Sequence, residues 1–124
     1  MSGNSRKNRV IAVVGPTASG KTAFAVDLAE KIGGEIISAD SRLVYKGFDI
    51  GTAKPTLDER RGIPHYMIDI AEPEVDYSAG LYVHEAKRII EDIQSRGKVP
   101  IIAGGTGLYI NILLKLIDSF IKCQ

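Results

Sequence analysis

The chain has 124 residues, enough for one small domain around one core. Sixteen basic against fifteen acidic side chains leave a net charge of +1, which gives no electrostatic case for nucleic-acid binding by this stretch alone. Hydrophobic content of 44% and charged content of 25% are ordinary for a soluble globular protein; the single Cys123 excludes an internal disulfide, and no Cys/His cluster suggests zinc. Residues 1–9 are polar and basic and lack the apolar stretch of a signal peptide, so a frayed, disordered N-terminus over residues 1–8 is expected. No apolar run reaches membrane length, and a reducing cytoplasm is the default compartment.

Residues 10–14 read as a short apolar strand. Gly15-Pro16-Thr17-Ala18-Ser19-Gly20-Lys21-Thr22 follows at once and fits G-x-x-x-x-G-K-[ST], the phosphate-cradling P-loop. Residues 21–32 then read as a helix with Phe24, Ala25, Leu28, Ala29 and Ile32 on one face. The chemistry needs this order. Glycines let successive N–H groups turn toward phosphate oxygens, and the helix N-terminus adds partial positive charge. Lys21 supplies a full charge, and the Thr22 hydroxyl is placed to ligate Mg²⁺.

A second strand is expected over residues 35–39. Residues 47–64 form the least regular stretch, with one short helix over residues 57–61. A third strand follows at residues 66–70. Residues 78–96 give the clearest helix, with Tyr82, Ala86, Ile89, Ile90 and Ile93 on one side, Asp76 or Ser78 as cap, and Gly97 and Pro100 as stop. The fourth strand, residues 99–103, runs into Gly104-Gly105-Thr106-Gly107. Residues 108–121 read as a helix whose polar positions, Asn111, Lys115, Asp118 and Ser119, make one narrow stripe. Four strands and their helices offer too little to bury it, so the chain is expected to be part of something longer or to depend on a partner.

The alternation predicts an α/β domain: a P-loop NTPase-like parallel sheet flanked by helices, incomplete at this length. Ligands of such sheets bind beyond the carboxyl ends of the strands. Asp40 ends the second strand, so its carboxylate should project into that cleft, as a general base or as a water-bridged Mg²⁺ ligand. A helix N-cap explains an Asp there equally well, and position alone leaves both open.

Five segments in order carry a family resemblance: residues 15–22, the run over residues 39–55 with Asp49-Ile50-Gly51-Thr52-Ala53-Lys54-Pro55, Ile63-Pro64-His65 with Ile68-Asp69-Ile70, Tyr77-Ser78-Ala79-Gly80, and Gly104-Gly105-Thr106-Gly107-Leu108-Tyr109. Together they resemble the tRNA dimethylallyltransferases, also called tRNA isopentenyltransferases, over residues 9–117. The resemblance implies transfer of a dimethylallyl group from its diphosphate to N6 of an adenosine beside the tRNA anticodon, with pyrophosphate leaving. Residues 17–22 and a Thr22-bound Mg²⁺ would then grip a leaving group. Asp40 matches the family's general base. Ser41, Arg42 and Leu43 match its tRNA-contacting segment, and Thr106 a residue where the target base is held. The implied partners are dimethylallyl diphosphate and a tRNA anticodon loop, whose unstacked bases suit such an enzyme, with a monomer expected at full length.

Each residue keeps a simpler reading beside this one. Arg42 can be a surface charge, Thr106 an N-cap, and Gly104, Gly105 and Gly107 a tight turn. Lys54 binds phosphate or stays solvated. His65 reads as structural, and Tyr45 and Tyr109 as packing residues. Leu43 stands where the family usually has Gln, removing a donor and acceptor for a base edge, and Tyr66 stands where bacterial relatives often have a second His. Family members continue well beyond this length, with a catalytic arginine and most of the tRNA-binding surface in the continuation. The Lys122-Cys123-Gln124 ending fits truncation. The P-loop alone also permits an ATP-dependent small-molecule kinase, although Gly104-Gly105 stand where an acidic metal ligand would be wanted and no arginine-rich lid is visible. An adenylate isopentenyltransferase and an inactive P-loop fragment are the remaining alternatives.

Overall fold

Eight elements follow one another: β1 (Ile11–Val14), α1 (Lys21–Ile32), β2 (Gly34–Ser38), α2 (Leu57–Arg60), β3 (His65–Tyr66), α3 (Ala79–Ser95), β4 (Val99–Gly104) and β5 (Ile121–Cys123). The computed structural model of the chain describes residues 10–14, 21–39, 44–47, 55–104 and 121–123; for residues 14, 21, 22 and 121–123 it describes the backbone alone. The five strands form one parallel sheet in the order β3-β2-β4-β1-β5. The chain therefore crosses from β1 over β4 to β2 through α1, and from β3 over β2 to β4 through α3, as parallel neighbours require.

Both faces of the sheet are covered, which is why its strands read as continuous Val/Ile runs. Successive side chains point to opposite faces. Ile36 and Ile101 join Ile11, Val13, Val99 and the α1 residues Ala25, Val26 and Ala29 in one core. Ile37 and Ile102 join Val10, Tyr82, Val83, Ala86, Ile90 and Ile93 in the other, under α3. On α1 the buried stripe differs from expectation at two places: Val26 is fully buried, while Phe24 is 45% exposed. Gly34, at the start of β2, is a close-approach glycine, since a Cβ there would stand 2.8 Å from both the Val99 carbonyl oxygen and Ile101 Cδ1.

Local signals set the helix ends. Ser78, not Asp76, caps α3, accepting from the Leu81 amide at 3.2 Å. Gly97, at φ 79°, turns the chain out of α3, and the Lys98 amide donates back to the Ile93 carbonyl. Thr56 and Glu59 form a capping box on α2. Arg61 ends α2 in the left-handed region, and its guanidinium reaches Asp27 at 2.6 Å and Glu30 at 3.1 Å, tying α2 to α1. Among the described residues no helix is long and apolar enough to cross a membrane.

Two expectations are corrected. The third strand stops at Tyr66 instead of reaching residue 70, because Met67 (φ 68°) and Asp69 (φ 58°) adopt left-handed backbone that cannot continue an extended ladder. Ile121 belongs to β5, paired with Ile11 of β1, and not to the end of a helix. The rest of that expected helix and the N-terminal residues 1–9 lie outside the described residues.

Candidate active site

The parallel register brings three carboxyl ends side by side. Ala103 pairs with Ser38 of β2, and Gly104 pairs with Val14 of β1, so β4 ends between the other two. At the usual spacing of about 4.8 Å per strand, the chains leaving β2 and β1 stand roughly 10 Å apart. Residues 15–20 leave from β1 and lead into α1, whose first residues are Lys21 and Thr22. The first turn of α1 carries no acidic side chain, so nothing there competes with an anion for its N-terminal amides. Of the expected site residues, Lys21 and Thr22 are thus located by backbone. Gly15, Pro16, Thr17, Ala18, Ser19, Gly20, Asp40, Ser41, Arg42, Leu43 and Thr106 lie outside the described residues, as do Lys54, Gly105, Gly107 and Tyr109.

The flanks of residues 40–43 are described, and both are anchored. On the near side the Ala39 amide donates to the Ala103 carbonyl at 2.9 Å, carrying the β2–β4 ladder one residue past Ser38. The buried Tyr82 hydroxyl donates to the Ser38 carbonyl at 2.8 Å. On the far side the Ile70 and Ala71 amides donate to the Val44 carbonyl, and the Lys46 amide to the Ala71 carbonyl, each at 2.9 Å. Tyr45 pairs with Ala71 in an isolated parallel bridge, and its hydroxyl accepts from the Tyr77 amide at 2.9 Å, next to the cap of α3. Lys46 pairs with Glu72 at 2.8 Å in the open.

Sequence reading had Tyr45 as packing and Tyr82 as core; both also hydrogen-bond to backbone, Tyr45 to Tyr77 and Tyr82 to Ser38. The signal was slight: a phenol at an apolar position brings a hydroxyl that needs a partner. Tyr45→Phe is expected to cost about 1 kcal/mol through the orphaned Tyr77 amide, read as a lower urea midpoint at unchanged slope.

The sequence predicts a structural role for His65. Its Nδ1 donates to the Ile63 carbonyl at 2.8 Å, which leaves Nε2 buried without a hydrogen-bond partner among the described residues, and burial pushes its pKa down. Tyr66 has a partner of its own: its hydroxyl donates to Glu35 Oε1 at 2.8 Å, near the amino end of β2 and away from the candidate site. Between β3 and α3 lies a groove of about 460 Å³ walled by Met67, Ile70, Tyr77, Leu81 and Ile89.

Comparison with known proteins adds to this geometry. Residues 43–123 match the family model described as IPP transferase. The tRNA dimethylallyltransferase of Thermomicrobium roseum is 56% identical over 110 residues, covering 89% of this chain and 33% of that protein. Among solved structures, the tRNA delta(2)-isopentenylpyrophosphate transferase of Staphylococcus epidermidis superposes with a TM-score of 0.81 at 59% identity, over 85% of this chain and 35% of that one. The full-length tRNA isopentenylpyrophosphate transferase of Bacillus halodurans gives a TM-score of 0.84 at 45% identity, over 90% of this chain and 37% of that one. This chain spans about a third of the length of these relatives. With a shared sheet, shared sequence and a matched family model over most of its length, the chain belongs to the IPP transferase family.

Proposed function

We propose that this chain carries the diphosphate site and the general base of a tRNA dimethylallyltransferase. The observation that supports it most is the order β2-β4-β1, which leaves only β4 between the chain entering Asp40 and the chain entering residues 15–20. The amides of residues 17–22 and the Lys21 ammonium bind the diphosphate and take up negative charge as the allylic C–O bond breaks. The adenosine N6 attacks the allylic carbon, its C–N bond forms, and the N6 proton passes to the Asp40 carboxylate while pyrophosphate leaves. Arg42 and Thr106 hold the target nucleotide against the donor.

The donor set fits magnesium: the Thr22 hydroxyl at the start of α1 and the oxygens of a diphosphate are hard ligands. Held by Thr22 and the diphosphate oxygens, the ion would supply positive charge to the leaving group.

Calorimetric titration of this chain with dimethylallyl diphosphate in magnesium tests the reading. Binding is expected, with ATP as the weaker competitor, and Lys21→Ala is expected to abolish it. Equal affinity in that variant removes the P-loop assignment. Tight ATP binding without dimethylallyl diphosphate binding favours a kinase instead. A transfer assay on an unmodified anticodon stem-loop, with prenylated adenosine read by mass after digestion, extends the test to the reaction.

A further inference from the structure

Gly104 closes β4 without left-handed backbone, so it is glycine for space and not for torsion. A Cβ built there would stand 2.9 Å from Ala39 Cβ and 3.3 Å from both the carbonyl carbon and the carbonyl oxygen of Ala39. Carbon atoms normally rest about 3.5–4.0 Å apart, so an alanine at 104 would force a shift of roughly half an ångström or more. Ala39 has little room to yield sideways. It is 4% exposed, packed in the core that includes Val10, Val44 and Tyr82, and its amide is held by the Ala103 carbonyl. The part left to move is its outgoing peptide, whose carbonyl carbon is bonded to the nitrogen of Asp40.

We propose that Gly104 and Ala39 are a size-matched pair that sets the position of Asp40, which makes Gly104 a positioning residue for the proton transfer. This rests on Asp40 being the general base. The contact is to backbone atoms as well as to a methyl group, so it cannot be relieved by a side-chain rotation. Catalytic geometry tolerates about 0.5 Å, the size of the displacement an added methyl group demands.

A size swap tests the pair. Isotope-labelled chains carrying Gly104→Ala, Ala39→Gly or both are compared by NMR. Gly104→Ala is expected to displace the Asp40 carboxyl resonance, and the double variant, which removes the closest of the three contacts, to bring it back toward its position in Ala39→Gly alone. An Asp40 carboxyl resonance that stays in place in Gly104→Ala, or that differs as much between Ala39→Gly and the double variant as between the parent chain and Gly104→Ala, overturns the proposal. Should Gly104→Ala fail to fold, a folded double variant supports the pair and an unfolded one overturns it. In a chain of the relatives' full length, Gly104→Ala is expected to lower kcat about tenfold or more at unchanged KM for dimethylallyl diphosphate, with recovery in the double variant. Asp40→Asn run beside it separates the two ideas: full activity there removes the general-base reading, while the size match is decided by the resonances.

Discussion

Asp40→Asn, made in a chain as long as the relatives, is expected to lower the rate of dimethylallyl transfer by about 10²–10⁴-fold while leaving dimethylallyl diphosphate affinity unchanged. The adenine N6 lone pair is delocalised into the ring, so the amine attacks well only if its proton leaves as the C–N bond forms. A carboxylate takes that proton; an amide of the same shape accepts a hydrogen bond but not the proton. In the proposed function the diphosphate is held from the β1 side, across β4 from the chain that enters Asp40, so its binding is expected to stay unchanged. Single-turnover rates at saturating donor, together with a donor titration, separate the two quantities. Full rate in Asp40→Asn would end the general-base assignment.

Arg96→Ala is expected to lower stability clearly, the largest loss foreseen for one side chain outside the site. Glu35 lies in the second position of β2 with its side chain only 5% exposed, and the Arg96 guanidinium grips it with two bonds, at 2.8 and 2.9 Å. Tyr66 donates to the same carboxylate, and Asp92 holds Arg96 from one helical turn back. Removing Arg96 strands a buried carboxylate; because Arg96 is itself 38% exposed, water moderates the loss. Hydrogen bonding from Arg96 holds the Glu35 carboxyl below the ordinary carboxylate range, against the opposing effect of burial. A carboxyl lowered on folding stabilises the protein above its unfolded pKa of about 4.3 and loses that contribution as pH falls through the folded value. Urea melts from neutral to acid pH should therefore show the difference between Arg96→Ala and the parent chain shrinking on acidification. A difference that stays constant with pH would mean the pair contributes through packing alone. Replacing Glu35 and Arg96 together by leucines should cost less than Arg96→Ala, because no charge is left buried.

Local chemistry explains what was legible in advance. The G-x-x-x-x-G-K-[ST] spacing between a Val/Ile run and an amphipathic run predicts a strand before it and a helix after it, and β1 and α1 stand on either side of residues 15–20 accordingly. Thr56 with Glu59, and Ser78 before an apolar periodicity, cap helices whatever lies around them. The family resemblance was legible too, because its motifs are contiguous runs of residues.

Other features depend on partners far away in the chain. The third strand ends early because Val44, residues distant, captures the Ile70 and Ala71 amides, and left-handed turns at Met67 and Asp69 bend the chain there. β5 is a strand because the free edge of β1 is available to pair it, which no helical periodicity at residues 108–121 can reveal. Glu35 gave a hint, being a carboxylate in an apolar strand, but its partner is Arg96, and only the crossover through α3 brings them together.

Short-range torsion and periodicity thus dictated most of the strands and helices and where most helices start, and the motifs named the candidate residues for phosphate and acid–base chemistry. The order β3-β2-β4-β1-β5 and the close approach of Gly104 to Ala39 were decided by tertiary packing. The reason is physical: a strand presents the same unpaired amides and carbonyls to any neighbour, and only burial of both faces under α1 and α3 selects which neighbour it takes.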